Sequence, residues 1–468
     1  MSTHAEVERA VLERIKPRPE EYEKLFSAFE VLKSTIHRVL SEKGLEAEVT
    51  LQGSVAHDTW LSGDRDLDVF VLFPSSWSKR DLELKALPAL VEAASVVGVY
   101  ELRYAEHPYV HVKVEDVEAD IVPGLRLENP ARAKTAVDRT PFHTQYVNSR
   151  LTSEMRDQVR LLKKFMKAIG VYGAEIRVRG FSGYLAELLV ITCGSFRGVL
   201  EAASKWRPPV YVDTIGGLSE EYKKRLREKY PDSVLYVPDP VDPMRNTAAA
   251  TSLKSLVTFI LASACYLRNP GLEFFEDLGE PSAESVFEAL RGRCIVAVEY
   301  YLREALPPDV IWGEALRVSS RLASLLEVLG FRVIDHSAWT NERDKAVVLV
   351  ELEYCDLPLY KHYKGPCIVH EWSRIQSFIE KHFKKGFGPW ITSEGCLDSL
   401  SRRSERSVVE VVESRWLEFT VAPHLRTSKP IARILDEELA KSLISEGAGK
   451  WLWNFILKTP RWMERCIS

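Results

Sequence analysis

Residues 66–73 read Asp-Leu-Asp-Val-Phe-Val-Leu-Phe, and no other run limits the fold so tightly. A stretch this apolar, closed by Pro74-Ser75-Ser76, reads as a strand built into a core. Its two acids stand at i and i+2, so Asp66 and Asp68 leave the same face, about 6–7 Å apart. Two carboxylates at that separation repel by about 3 kcal/mol at an effective dielectric of 20. A fold that keeps them together usually offsets the repulsion with a cation. Hard oxygen ligands with few protein partners suit Mg²⁺, which retains waters and takes up phosphate oxygens. Two solvated aspartates at a strand end would look the same in isolation, so the context has to decide.

The context is a Gly53-Ser54 turn twelve residues earlier, after a short strand at 47–52 and before a helical turn at 56–61. Backbone amides, a hydroxyl and a helix N-terminus in such a turn can cradle a phosphate. A third acid, Asp120, stands in another apolar strand, Val117-Glu-Ala-Asp-Ile-Val-Pro123. A Gly-Ser turn, a paired-Asp strand and a third Asp strand together suit two-metal phosphoryl chemistry.

With 468 residues the chain has room for about three domains. Helical spacing runs over 20–43, with Tyr22, Leu25, Phe26, Phe29, Leu32, Ile36, Val39 and Leu40 on one stripe. A helix at 80–94 and strands at 97–104, 109–114 and 117–122 complete a mixed unit with a sheet of about five strands. A helix at 153–170 sends Met155, Val159, Leu162, Phe165 and Met166 inward and Arg156, Arg160, Lys163, Lys164 and Lys167 outward. A second helix covers 183–192, the Pro-rich stretch 205–246 reads as loops, and Asn246 is a candidate N-cap for a buried helix over 247–268. Eight of eleven Trp follow residue 300, which marks a separate domain. Helices at 284–304, 313–329, 371–385 and 433–444 alternate there with strands at 331–336, 346–354, 407–413 and 416–421.

The 46% hydrophobic content excludes a disordered chain, and the net charge of −4 confines any RNA site to a local basic patch. The longest apolar run, 256–266, is too short for a membrane span, and the N-terminus has no apolar leader region. A cytoplasmic protein without membrane contact is the expectation. The seven cysteines show no CxxC spacing and are odd in number, so reduced thiols are expected.

Gly53-Ser-Val-Ala-His-Asp-Thr-Trp60 followed by Asp66-Leu-Asp-Val-Phe70 resembles the nucleotidyltransferase signature of the DNA polymerase β superfamily. Further runs narrow the resemblance to the archaeal (class I) CCA-adding enzymes, the tRNA nucleotidyltransferases. They are His107-Pro-Tyr-Val-His111, Asp120-Ile-Val-Pro123, Ala136–His143, Val171-Tyr-Gly-Ala-Glu175, Arg179-Gly-Phe-Ser-Gly-Tyr184 and Asp239-Pro-Val-Asp-Pro-Met-Arg-Asn246, with Leu357-Pro and Lys364-Gly-Pro366 as a weaker echo.

The resemblance implies an α+β multidomain fold. A polymerase-β-like nucleotidyltransferase sheet with helices would span 1–150, a helical nucleotide- and tRNA-binding domain 151–272, and a mixed α/β tRNA-binding domain 273–468. The implied reaction is template-independent addition and repair of the tRNA 3′ CCA from CTP and ATP with release of pyrophosphate. Asp66, Asp68 and Asp120 would hold Mg²⁺. Ser54, His57, His143, Lys163 and Tyr172 would contact the nucleotide, Arg245 would face its base, and a homodimer would be the assembly. His57 stands where the family commonly has Arg, and imidazole is a weaker, pH-dependent phosphate ligand. The alternatives are a poly(A)- or oligoadenylate-type polymerase, or a catalytically idle RNA-binding module.

Each residue also has a plain reading. His143 could be a satisfied loop histidine, Lys163 one of several solvated cations, Tyr172 a ring packed at a helix end, and Arg245 a surface partner of Asp242. The basic runs 381–385 and 402–406 are solvated faces or, with tRNA, candidate phosphate contacts. Gly447-Ala-Gly-Lys450 lacks the spacing of a P-loop, and His370-Glu371 lacks a second His of a zinc protease.

Overall fold

The computed structural model describes residues 3–64, 66–104, 108–133, 135–276 and 283–467. His107, part of one of the motifs above, lies outside them. The chain forms two compact units, Met1–Leu278 with Pro460–Ser468, and Gly279–Thr459.

The first unit opens with helices α1 (His4–Ile15) and α2 (Pro19–Glu42). Leu25, Phe29, Leu32, Ile36, Val39 and Leu40 of α2 are buried, on the stripe the spacing predicts, whereas Phe26 is exposed. Five strands follow: β1 (Glu48–Gln52), β2 (Asp66–Pro74), β3 (Val99–Tyr104), β4 (Pro108–Val114) and β5 (Val117–Arg126). They form one sheet in the order β1-β2-β5-β4-β3, with β2 and β5 parallel and every other pair antiparallel. The parallel pairing is what matters for chemistry: it sets Asp68 opposite Asp120 and Asp66 opposite Glu118. The turn between β1 and β2 carries a short helix, α3 (Gly53–Ala56), earlier than the predicted 56–61.

The rest of this unit is helical, built on Ala136–Arg150, Ser153–Ala168, Gly183–Cys193, Phe196–Ala203 and Leu253–Arg268 around one core. Two expectations change here. Arg160 and Lys163 are buried, because acceptors from distant segments reach them. The long helix begins at Leu253 under a Ser252 cap, not at Asn246. The Asn246 amide instead accepts from Val237 N and donates to the Leu235 carbonyl, stapling its own loop.

The second unit has a four-stranded sheet, ordered Ile431–Ile434, Cys294–Tyr301, Lys345–Leu352, Val333–Thr340, with helix Pro308–Leu329 against it. A three-stranded sheet of Tyr360–Cys367, Cys396–Arg402 and Gly386–Ile391 accompanies helix Trp372–His382. The predicted helix 284–304 splits into helix Ala283–Leu290 and a buried strand, Cys294–Tyr301. The two strands predicted over 407–421 are one helix, Val408–Phe419. Its β-branched residues suggest a strand, but Val408, Val411, Val412 and Phe419 are buried at helical spacing. Six of the seven cysteines are paired, as 265–466, 294–355 and 367–396, contrary to the reduced state expected. Separations of 201, 61 and 29 residues leave no local spacing signal. Among the described residues no single helix is long and apolar enough to cross a membrane.

Candidate active site

The two central strands and α3 open onto a cleft of about 430 Å³, within the range of small-ligand sites. Ser54, Asp66, Asp68, Asp120 and Tyr172 line it, together with Asp64, Arg103, His111, Glu118 and Lys167. Gly53 has φ +67°, and a Cβ there would lie 2.0 Å from Asp68 Oδ2. Only glycine lets the turn close over that carboxylate. The lining acids exceed the cations. Lys167 is bound to Asp64 at 3.1 Å and lies 5.4 Å from the Tyr172 ring centre, while His111 Nδ1 sits 2.7 Å from Asp120 Oδ1. Burial pushes the Asp68 carboxyl up to about 6, with the charges of Asp120 and Asp66 adding to it. Asp66 is raised as well, by burial and then by Asp64, Glu118 and Asp120.

The protein therefore leaves this cluster short of positive charge, and the oxygen-only donor set of Asp66, Asp68 and Asp120 fits a hard divalent cation. Among the described residues no three His, Cys, Asp or Glu side chains converge at ligating distance.

Behind the cleft lies a buried ionic network. Lys163 Nζ donates to Thr59 Oγ1 at 2.8 Å, to the Thr59 carbonyl at 3.2 Å and to Glu187 Oε1 at 3.2 Å. Glu187 Oε2 meets His57 Nδ1 at 3.0 Å, and His57 Nε2 meets Thr144 Oγ1 at 3.0 Å. Burial alone would raise Glu187, but Lys163 and His57 bring its carboxyl down to about 2. His57 thus differs from its expected place at a phosphate. It is buried, both ring nitrogens meet protein atoms, and it is absent from the cleft wall. Lys163 likewise faces inward, although the charges of His57 and Lys163 offset part of the rise at Asp68.

A third cluster gathers the remaining candidates. His143 Nε2 and Arg245 Nη1 each lie 2.8 Å from Asp239 Oδ2, and Tyr184 donates to Oδ1 at 3.0 Å. The His143 ring stacks on Tyr184 with centres 4.2 Å apart. Arg245 thus pairs with Asp239, and Asp242 is met instead by Arg139 at 3.6 Å. Burial would raise Asp239, but hydrogen bonds from His143, Val241 and Arg245 bring it down to about 2.

The structure so brings Ser54, Asp66, Asp68, Asp120 and Tyr172 to one cleft, His143 and Arg245 to Asp239, and His57 and Lys163 to Glu187. Sequence reasoning missed His111, Glu187 and Asp239. His111 and Asp239 stood inside runs already singled out. Glu187 is the only charged residue of helix Gly183–Cys193, a signal that could have been used.

Three family models match successive parts of the chain: a nucleotidyltransferase domain over residues 33–143, the second domain of tRNA nucleotidyltransferase over 157–276, and the C-terminal domain of CCA-adding enzyme over 291–430. The CCA-adding enzymes of Sulfurisphaera tokodaii and Saccharolobus shibatae are 41% and 38% identical, over 98% of this chain and all of each relative. That of Sulfolobus acidocaldarius is 37% identical, over 98% of this chain and 99% of the relative. The paired-Asp strand, the glycine turn folded over it and likeness along nearly the whole chain agree: this protein belongs to the CCA-adding enzymes, the tRNA nucleotidyltransferases.

Proposed function

We propose that the cleft on β2 and β5 is where this protein adds and repairs the 3′ CCA of tRNA, taking CTP and ATP and releasing pyrophosphate. The observation that carries this is the pairing of Asp68 with Asp120 on adjacent parallel strands, beside the Ser54 turn, in a cleft richer in acids than in cations. Asp66, Asp68 and Asp120 would hold Mg²⁺, which when bound lowers the pKa of the attacking hydroxyl and offsets triphosphate charge. The tRNA 3′ hydroxyl loses its proton to water as its oxygen bonds to the α-phosphorus, the bond from that phosphorus to the α–β bridging oxygen breaks, and pyrophosphate leaves.

Within the chain, the amides and hydroxyl at Ser54 face the triphosphate, and the Tyr172 ring with Lys167 over it closes the opposite wall. Lys163 and His57 act from behind, holding the Thr59 segment and the α3 turn in place. Arg245 presents its donors to the ring nitrogen that cytosine (N3) and adenine (N1) both leave unprotonated. Uracil and guanine carry N–H there and meet donor against donor.

The division 1–150, 151–272 and 273–468 belongs to the same reading, as do a second copy as partner, cytoplasmic residence, and tRNA docking through local basic patches. Lys381, Lys384 and Lys385 are exposed, whereas Arg403 and Arg406 donate to the carbonyls of Leu329 and Leu357. The test is incubation of tRNA lacking its terminus with each nucleotide and Mg²⁺. CTP and ATP should extend it to CCA and stop, and UTP and GTP should not serve. Extension into a long homopolymer, or none at all, would sink the reading.

A further inference from the structure

The loop 239–245 closes on itself: Asp239 N donates to the Arg245 carbonyl at 3.0 Å, and Arg245 N to that of Asp242 at 2.8 Å. Asp239 at its head is fully buried, yet its carboxylate is saturated. Besides the three side chains already described, Val241 N donates to Oδ1 at 2.9 Å. The Arg245 side chain is 32% exposed, and the bond from Nη1 to Asp239 holds its guanidinium at one nitrogen. A guanidinium is planar, and fixing Nη1 limits where its other N–H groups point.

From this geometry we infer that Asp239 is a positioning residue for nucleobase selection, acting by holding the guanidinium of Arg245 and the ring of His143 in one arrangement. The inference rests on the reading of Arg245 as the residue that faces the base. A fixed donor meets the bare ring nitrogen of cytosine or adenine and cannot follow the displaced carbonyl of uracil or guanine. A guanidinium freed from its anchor can turn and donate to that carbonyl, so the wrong bases gain what the right ones lose. A carboxylate accepts only, so Nε2 of His143 must donate to it, and this fixes the ring over Tyr184. An Asn at 239 would offer an amide in place of one acceptor and set donor against donor with one of these partners.

The experiment measures kcat/KM for all four nucleotides on tRNA lacking its terminal residues, in the full chain and in Asp239→Asn, Arg245→Ala and the double variant. Asp239→Asn should narrow the preference for CTP and ATP over UTP and GTP by about tenfold to a hundredfold. In the Arg245→Ala background the same change should move that ratio by less than about twofold, because both act through one guanidinium. Equal loss for all four nucleotides, or effects that multiply in the double variant, would overturn the inference while leaving Arg245 as base reader. Full discrimination in Arg245→Ala would overturn that reading, and the inference with it. Should the Asn variant not fold, Asp239→Glu keeps the charge but displaces it. A merely structural ion pair would then preserve the ratio, and a positioning one would lose it.

Discussion

Asp68 and Glu187 are both desolvated carboxylates of the same unit, Asp68 half-buried on a cleft wall and Glu187 fully buried, and they are treated in opposite ways. Asp68 faces Asp120 and Asp66, and burial together with those charges pushes it up to about 6. Glu187 faces Lys163, His57 and Thr59, and despite deeper burial it comes down to about 2. One cluster is left electrostatically unfinished and lies on the wall of a cleft. The other is complete and closed to solvent. Burial by itself therefore does not tell function from structure. The informative quantity is whether the protein supplies the counter-charge, since a fold that withholds it reserves the position for something that binds.

The largest expected effect separates the two clusters outright. Asp68→Asn or Asp120→Asn should lower nucleotide incorporation by orders of magnitude while circular dichroism shows an intact fold. Asp68→Asn should also leave the metal-free protein as stable as before or more so, since it relieves repulsion. A variant that keeps more than about a tenth of the native rate would remove its residue from the catalytic set.

Glu187→Gln should behave in the opposite sense. It leaves Lys163 buried without its counter-charge, and chemical denaturation should register a loss of about 3–5 kcal/mol. No loss of stability would show that the network is not the closed ion pair its distances describe.

The third effect is the pH dependence of that loss. The folded pKa of Glu187 lies below its unfolded value of about 4.3, so its contribution is present above that value. It disappears as pH falls toward about 2. The stability gap between the native chain and Glu187→Gln should thus be constant above about pH 5 and shrink below about pH 4. A gap that widens on acidification would reverse the assignment of charge.

The smallest effect concerns His57, whose ring bridges Glu187 and Thr144. His57→Gln should cost about 1–2 kcal/mol of stability and leave the KM for CTP within about twofold. A many-fold rise in KM with unchanged stability would return His57 to the triphosphate.

The sequence made the first cluster legible and hid the second. Asp66 and Asp68 are two residues apart on one strand, and Asp120 sits in a matching strand, so local pattern alone brought them under suspicion. Lys163 looked solvated because its helix neighbours Lys164 and Lys167 are also basic, and the spacing of one helix cannot reveal an acceptor 24 or 104 residues away. His57 stands in a glycine turn of the phosphate-binding kind, and nothing nearby announces that its partners are Glu187 and Thr144. The same limit explains the misread helix Val408–Phe419. Val-Val-Glu-Val-Val suits a strand by propensity, and only tertiary packing decides which period is used.

The disulfide between Cys265 and Cys466 carries a consequence for biogenesis. Segment 460–467 belongs to the first unit: Trp462 is buried in its core, and Arg465 pairs with Glu273. Yet 201 residues separate the two cysteines, and the whole of the second unit is translated in between. At roughly 5–20 residues per second, the helix that bears Cys265 waits some 10–40 s on the ribosome for the strand of chain that completes it. A message cut short anywhere in the second unit yields the whole five-stranded sheet, yet lacks Trp462, Arg465 and Cys466, which complete the first unit's packing. The topology thus leaves the first-made unit waiting for core contacts that come from residues translated only after the second unit.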